Sequence, residues 1–265
     1  MKKTAAVSIT VLYLLYSCVP VPLTGRRQLQ LISRGEMLQL GAQSYNNYTE
    51  QHQTITGTPE AEMVERVGNN IRLAVEDYLQ QQNDIGRLEG YQWQFTLFDD
   101  TTVNAWVMPG GRVGINSGIL PVAQDETGLA VIMGHEIGHA VAEHANERMS
   151  QLLLIQLGGM VLSEALSEHP HITQQLALVA FGVGAQLGIL LPYSRLHESE
   201  ADHLGLIFMA MAGYDPRQAV PFWERMIEMR QVAEPPEFLS THPSDQERIN
   251  NIQTIIPEAL EYYEN

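Results

Sequence analysis

A chain of 265 residues with 45% hydrophobic content can bury a substantial core, and no low-complexity segment or internal repeat divides it. Its 31 Asp and Glu against 15 Lys and Arg give a net charge of −16, which repels nucleic-acid phosphates and anionic lipid alike, so no nucleic-acid partner is expected. Cys18 is the single cysteine, so no disulfide can close within the chain.

The first residues, Met1-Lys2-Lys3, are basic, and Thr4 to Tyr16 is an apolar run too short to span a bilayer but suited to a secretory signal. It ends in Leu15-Tyr16-Ser17-Cys18, which resembles a bacterial lipobox with Cys18 as the lipidated residue; a plain cleaved signal with an incidental cysteine is the alternative. Residues 1–17 are therefore expected to be a lipoprotein signal peptide, 18–34 a lipid-anchored tether and 35–265 a single domain. Val19 is not the aspartate that retains lipoproteins at the inner membrane in enterobacteria. That predicts a bacterial cell-envelope protein, attached to the membrane by its lipid and probing the periplasm from the outer membrane.

Further along, Pro59 to Gln82 reads as a long helix, because Met63, Val67, Ile71, Ala74, Val75 and Tyr78 recur at three- and four-residue steps. Three short strands are predicted next, at Trp93–Phe98, Val103–Met108 and Arg112–Asn116, the last two joined by a Pro109-Gly110-Gly111 turn. Residues 151–192 form two apolar stretches interrupted by Glu164, Gln174, Gln175 and Gln186. They are expected to be buried helices over the central helix, with a hydrophobic lid or membrane-contacting hairpin as the alternative. Gly213 ends one helix, Asp215-Pro216 starts another, and a last helix begins near Ser244-Asp245 after a loop holding His242.

The chemistry concentrates at His135-Glu136-Ile137-Gly138-His139, in a stretch with no proline from Gln124 to Ser150. Residues four apart on a helix share a face, so both imidazoles meet at one point, as two ligands of a tetrahedral Zn²⁺ do, with Glu136 placed to take a proton from a metal-bound water. A buried helix whose histidines merely pack is the bland alternative. A third ligand has to come from elsewhere: Glu143 sits about 12 Å along the axis from His135, and His144 is turned roughly 140° from His139. Glu198 and Asp202 share a helical face in His197-Glu198-Ser199-Glu200-Ala201-Asp202-His203, which suits a ligand carboxylate followed by one that orients a ligand histidine. An acidic, solvated helix face is the competing reading. Arg195, three residues before Glu198, is a candidate to pair with it or to reach the site, an ordinary surface pair being the alternative.

His-Glu-Ile-Gly-His followed by Glu-x-Glu-Ala-Asp-x-x-Gly over Glu198–Gly205 resembles the zinc metallopeptidases that include the CAAX prenyl protease, HtpX and BepA. Thr24-Gly25-Arg26-Arg27-Gln28-Leu29, Val103 to Gly111, Ala212 to Pro216 and Thr241-His242-Pro243-Ser244 resemble further signatures of that family, so the likeness runs over roughly residues 24 to 255. The resemblance implies an α+β, predominantly helical, zincin-like fold with one small sheet beside the active-site helix. It also implies one zinc per chain on His135, His139 and Glu198, with Glu136 as general base. His242 matches a histidine that in some relatives approaches the metal as a fourth ligand or blocks the water site. The strand at Asn104-Ala105 resembles the edge to which substrate adds, an ordinary hairpin being the alternative. The expected activity is endoproteolysis of misfolded or unassembled envelope proteins, in contact with outer-membrane assembly machinery. A proteolytically quiet zinc-bound chaperone, an assembly scaffold, and an enzyme acting on non-peptide amides are the competing functions.

Overall fold

In the computed structural model, residues 18–167, 171–185, 191–229, 236–243 and 246–263 are described. The expected signal segment, 1–17, lies outside them. Two short strands come first, β1 (Cys18–Pro20) and β2 (Arg27–Leu29), then α1 (Arg34–Gln51), β3 (Thr54–Ile55) and α2 (Pro59–Gln81). A 3-10 turn leads into β4 (Gln94–Phe98), β5 (Ala105–Met108) and β6 (Arg112–Asn116). Helices follow: α3 (Leu120–Ala123), α4 (Glu126–Val141), α5 (His144–Ala165), α6 (His171–Ala185), α7 (Leu191–Met211), α8 (Ala219–Met229), α9 (Glu237–Thr241) and α10 (Gln246–Tyr263). The mostly helical α+β architecture with small sheets is the one expected.

The chain divides into two compact units, one formed by the N-terminal part up to Arg34 with Glu143–His197, the other by Gly35–Ala142 with Glu198–Asn265. The stretch 143–197 thus clusters with the N-terminal segment and not with the remainder of 35–265.

In the first unit, residues 18–34, expected as a lipid-anchored tether, carry two short strands. β1 and β2 pair antiparallel, and Arg26 places both guanidinium nitrogens on the buried carboxylate of Glu147, at 2.9 and 2.7 Å. The Leu31 N–H donates to the Ser150 hydroxyl at 2.9 Å, and the Asn146 amide donates to the Ile32 carbonyl at 2.9 Å. A buried carboxylate needs a cation, and the arginine motif supplies it. Helices α5 and α6 meet where Gly158 faces Phe181. The later part of α5 has an open face: Leu157 is 44%, Met160 61% and Val161 71% exposed. This corrects the expectation of buried helices, since an apolar helix covered on one side only leaves its other face bare. No helix among the described residues is long and apolar enough to cross a membrane.

In the second unit, α2 starts with a Thr58 side chain accepting the Ala61 N–H and with Pro59 in its first turn. Its buried stripe, Val64, Val67, Ile71, Ala74, Val75 and Tyr78, keeps the helical period predicted, with Val64 buried in place of the half-buried Met63. The sheet runs β3-β4-β6-β5, with β4 parallel to β6 and β5 antiparallel to β6 across a turn at Gly110 and Gly111, both at positive φ. Two of the expected strands are shorter than predicted, and β6 inserts between β4 and β5, leaving β5 on the edge. β5 packs on α4, a central helix capped by Asp125 and buried along nearly its whole length.

Candidate metal centre

Helix α4 carries His135, Glu136 and His139; α7 carries Glu198 and Asp202. Glycine sets how closely the two helices approach. A Cβ at Gly134 would stand 2.7 Å from the Gly205 carbonyl oxygen, and one at Gly138 would stand 2.7 Å from that of Ala201. The backbones therefore touch at the residue before His135 and again about one turn further on, so Glu198 faces the two histidines directly. His242 arrives from the end of α9, where its N–H donates to the Phe238 carbonyl at 2.8 Å.

One donor atom each from His135, His139, Glu198 and His242 forms a cluster within 4.8 Å. Nε2 of His135 lies 3.1 Å from Nε2 of His139, 3.0 Å from Nδ1 of His242 and 3.3 Å from a Glu198 oxygen. The Glu198 carboxylate is also 3.3 Å from His139 and 3.2 Å from His242. A tetrahedral ion with ligand bonds of about 2.0–2.2 Å has ligand–ligand edges of roughly 3.3–3.6 Å, so these spacings and this mixture of imidazole and carboxylate fit a metal. With a metal held by His135, His139 and Glu198, His242 would stand where a catalytic site keeps a water.

His135 is oriented from behind by Asp202, whose Oδ1 lies 2.9 Å from its Nδ1. With Nδ1–H donating there, Nε2 presents its lone pair to the cluster. Burial and Arg248 work against charge on His135, but its hydrogen bonds to Asp202 and Glu198 outweigh them and push it up to about 9. Burial likewise opposes charge on Glu198, yet His139 and hydrogen bonds from His135, His139 and His242 hold the carboxyl well below its usual range. Glu136 is different. It is 2% exposed, and burial raises its pKa against the pull of His242 and His135. Its Oε1 lies 3.3 Å from His242 Nε2 but makes no hydrogen bond among the described residues. A buried carboxylate kept partly basic beside a cation site is the arrangement a proton acceptor needs.

Arg248, on α10, carried no signal in the sequence reading. Its Nε and Nη2 each donate to an oxygen of Asp202 at 2.8 Å, and Nη1 lies 3.1 Å from Glu198. The guanidinium stacks 3.5 Å over the Trp223 ring. Arg248 therefore fills the position for which Arg195 was a candidate; Arg195 is exposed on α7, with no ion pair to Glu198 among the described residues. The only sequence clue was its place six residues after His242. Glu143 and His144, set aside as ligands on helix geometry, have other partners: Glu143 accepts from Gln30 at 2.6 Å, and His144 stacks on His197.

Ala105 is buried on edge strand β5, and its N–H donates to the side chain of Asn104 at 2.9 Å. The Asn104 carbonyl accepts from Asn116 N–H, and the Val103 carbonyl accepts from Phe238 N–H. Cys18 opens β1; its side chain, and hence its lipidation, lies outside what is described.

Residues 71–256 match the profile of Peptidase family M48. The chain is 32% identical over 251 residues to the mitochondrial metalloendopeptidase OMA1 of Saccharomyces cerevisiae, covering 92% of this chain and 70% of the relative. The Homo sapiens mitochondrial metalloendopeptidase OMA1 is 30% identical over 92% of this chain and 47% of its own length. A putative beta-barrel assembly-enhancing protease of Vibrio cholerae is 32% identical over 59% of this chain and 33% of its own length. The chain thus spans about half or less of the human and Vibrio relatives. Placement as a lipid-anchored protein of a bacterial outer membrane is overturned by this comparison, because relatives matching 92% of the chain are mitochondrial. The profile match and the metalloendopeptidase relatives place the chain in peptidase family M48, as a metalloendopeptidase.

Proposed function

We propose that the chain is a zinc endopeptidase that cuts unfolded or misassembled proteins presenting an extended segment, with one zinc per chain. The observation that carries this reading is the cluster of His135, His139 and Glu198 donor atoms, 3.1 to 3.3 Å apart, with buried Glu136 next in sequence to His135. Two imidazoles and a carboxylate suit zinc better than magnesium or calcium, which prefer oxygen ligands. Bound there, zinc supplies Lewis-acid chemistry, lowering the pKa of water and polarising a carbonyl. Glu136 takes the proton from the attacking water as its oxygen adds to the scissile carbonyl carbon, and returns that proton to the leaving amine. Asp202 keeps His135 in the tautomer that presents Nε2.

The substrate pairs with the outer edge of β5, the strand that Ala105 opens, where main-chain hydrogen bonds accept many sequences; Asn104, expected beside Ala105 as a backbone contact, turns its carbonyl inward to Asn116. That tolerance suits a quality-control protease, and the Vibrio cholerae relative, named for β-barrel assembly, supports such a substrate class. Zinc content and casein cleavage of the full chain, measured beside Glu136→Gln, test the proposal. Zinc in both proteins with cleavage only in the parent supports it; no zinc in the parent sinks it.

A second reading, a zinc-bound chaperone that holds proteins without cutting, has one observation in its favour: His242 Nδ1 takes the corner a water would need. Zinc without cleavage in the parent and in His242→Ala alike would favour it.

A further inference from the structure

We propose that Arg248 is a positioning residue for the metal ligand His135, acting through Asp202. The inference rests on reading the histidine–carboxylate cluster as a metal site. Arg248 is 7% exposed and spans both oxygens of Asp202, with Nε on Oδ2 and Nη2 on Oδ1, each at 2.8 Å. Asp202 Oδ1 in turn holds His135 Nδ1 at 2.9 Å. A carboxylate bound at one oxygen can still rotate about its Cβ–Cγ bond; a guanidinium fork on both oxygens fixes that plane, and with it the direction of the imidazole. Trp223 beneath the guanidinium holds the fork itself in place. The chain of contacts runs Arg248, Asp202, His135, metal.

Arg248 also touches the ligand itself, with Nη2 at 3.2 Å from His135 Nδ1 and 3.4 Å from Nε2, and has two further contacts that a mere countercharge would not need. Nη1 lies 3.1 Å from Glu198, the ligand from the facing helix, and 3.3 Å from the carbonyl of Pro243, which it reaches as a donor. Pro243 follows His242. One side chain thus registers the orienting carboxylate, the ligand carboxylate and the loop that brings the third histidine.

The test is a double-mutant cycle on zinc affinity, measured by competition with a chromophoric chelator on the full chain. Loss of a partner behind a ligand costs about 10- to 100-fold in metal affinity. Arg248→Gln and Asp202→Asn are each expected to weaken zinc binding by such a factor. The double variant is expected to lose clearly less than the product of the two single losses, because part of the Arg248 effect runs through Asp202. Arg248→Lys keeps the charge but cannot span both oxygens, so it too is expected to bind zinc more weakly than the parent.

Multiplying losses in the double variant, unchanged affinity in Arg248→Gln, or full affinity in Arg248→Lys would each overturn the proposal. Absence of a cooperative thermal transition in both Arg248 variants would also overturn it, by making the residue a general support of the fold. A parent chain that binds no zinc would instead defeat the metal-site reading, so the two failures are distinguishable.

Discussion

Nε2 of His242 stands 3.3 Å from Oε1 of Glu136, an oxygen with no hydrogen bond among the described residues, while Nδ1 of the same ring lies 3.0 Å from His135 Nε2. A single imidazole thus faces both the proposed base and the proposed metal position, and a reacting carbonyl and water would have to share that space. On the proposed mechanism, cleavage follows withdrawal of the His242 loop. In His242→Ala, casein cleavage is expected to be kept or raised by up to about tenfold, equivalent to about 1.4 kcal/mol held in the closed arrangement. A fall of comparable size would make His242 a donor to the transition state instead of a plug.

Glu136→Gln removes the acceptor without changing the shape of the side chain. Cleavage is expected to drop roughly 10²- to 10⁴-fold while zinc content stays unchanged. Because the parent buries a carboxylate whose pKa burial raises, the amide should melt no lower than the parent. Thermal unfolding of the two zinc-loaded proteins side by side checks this, and a clear loss of stability in the variant would mean that Glu136 is held by interactions stronger than its contacts suggest.

Glu147 is expected to give the first unit a stability that depends on pH. Burial alone would raise this carboxyl, but hydrogen bonds from His197 and Arg26 hold it below its ordinary 4.5. A depressed carboxylate stabilises the fold fully above that value, and the contribution drains away as pH falls from 4.5 toward the folded-state value. Glu147→Gln is therefore expected to cost about 3–5 kcal/mol at neutral pH, leaving Arg26 facing a neutral partner. The gap between parent and variant should close in denaturant titrations carried below pH 4.5. A gap that is flat with pH would show that the loss is one of packing.

The metal-site helix was legible because its logic is local. His135 and His139 share a face by helical arithmetic, and the same arithmetic pairs Glu198 with Asp202 within one turn. Arg248 was not legible, because its partner Asp202 lies 46 residues away and a lone arginine on an amphipathic helix looks like any solvated one. The β5–β6 hairpin announced itself through Pro109-Gly110-Gly111, whereas the parallel pairing of β4 with β6 depends on a return path that no strand's own composition encodes. Residues 151–192 misled for the opposite reason. Leu152, Leu153, Leu154 and Leu157 read as core, yet all are exposed, and hydropathy reports preference for burial without saying what is available to bury against.

Gly138 tests whether the approach of α4 to α7 makes the site. On an isolated helix, Gly→Ala would stabilise by roughly 0.5–1 kcal/mol through backbone entropy. Here the new methyl would meet the Ala201 carbonyl oxygen at 2.7 Å, a backbone atom that cannot turn aside. The helices must separate locally, and overpacking of this kind typically costs about 1–3 kcal/mol, so the clash wins. Ala201 lies between Glu198 and Asp202, and Gly138 adjoins His139, so the separation falls between ligands on facing helices. Gly138→Ala is expected to lower the melting temperature of the metal-free chain and also to weaken zinc affinity. A variant that melts lower yet binds zinc as tightly as the parent would show that the ligands reach the metal without this backbone contact.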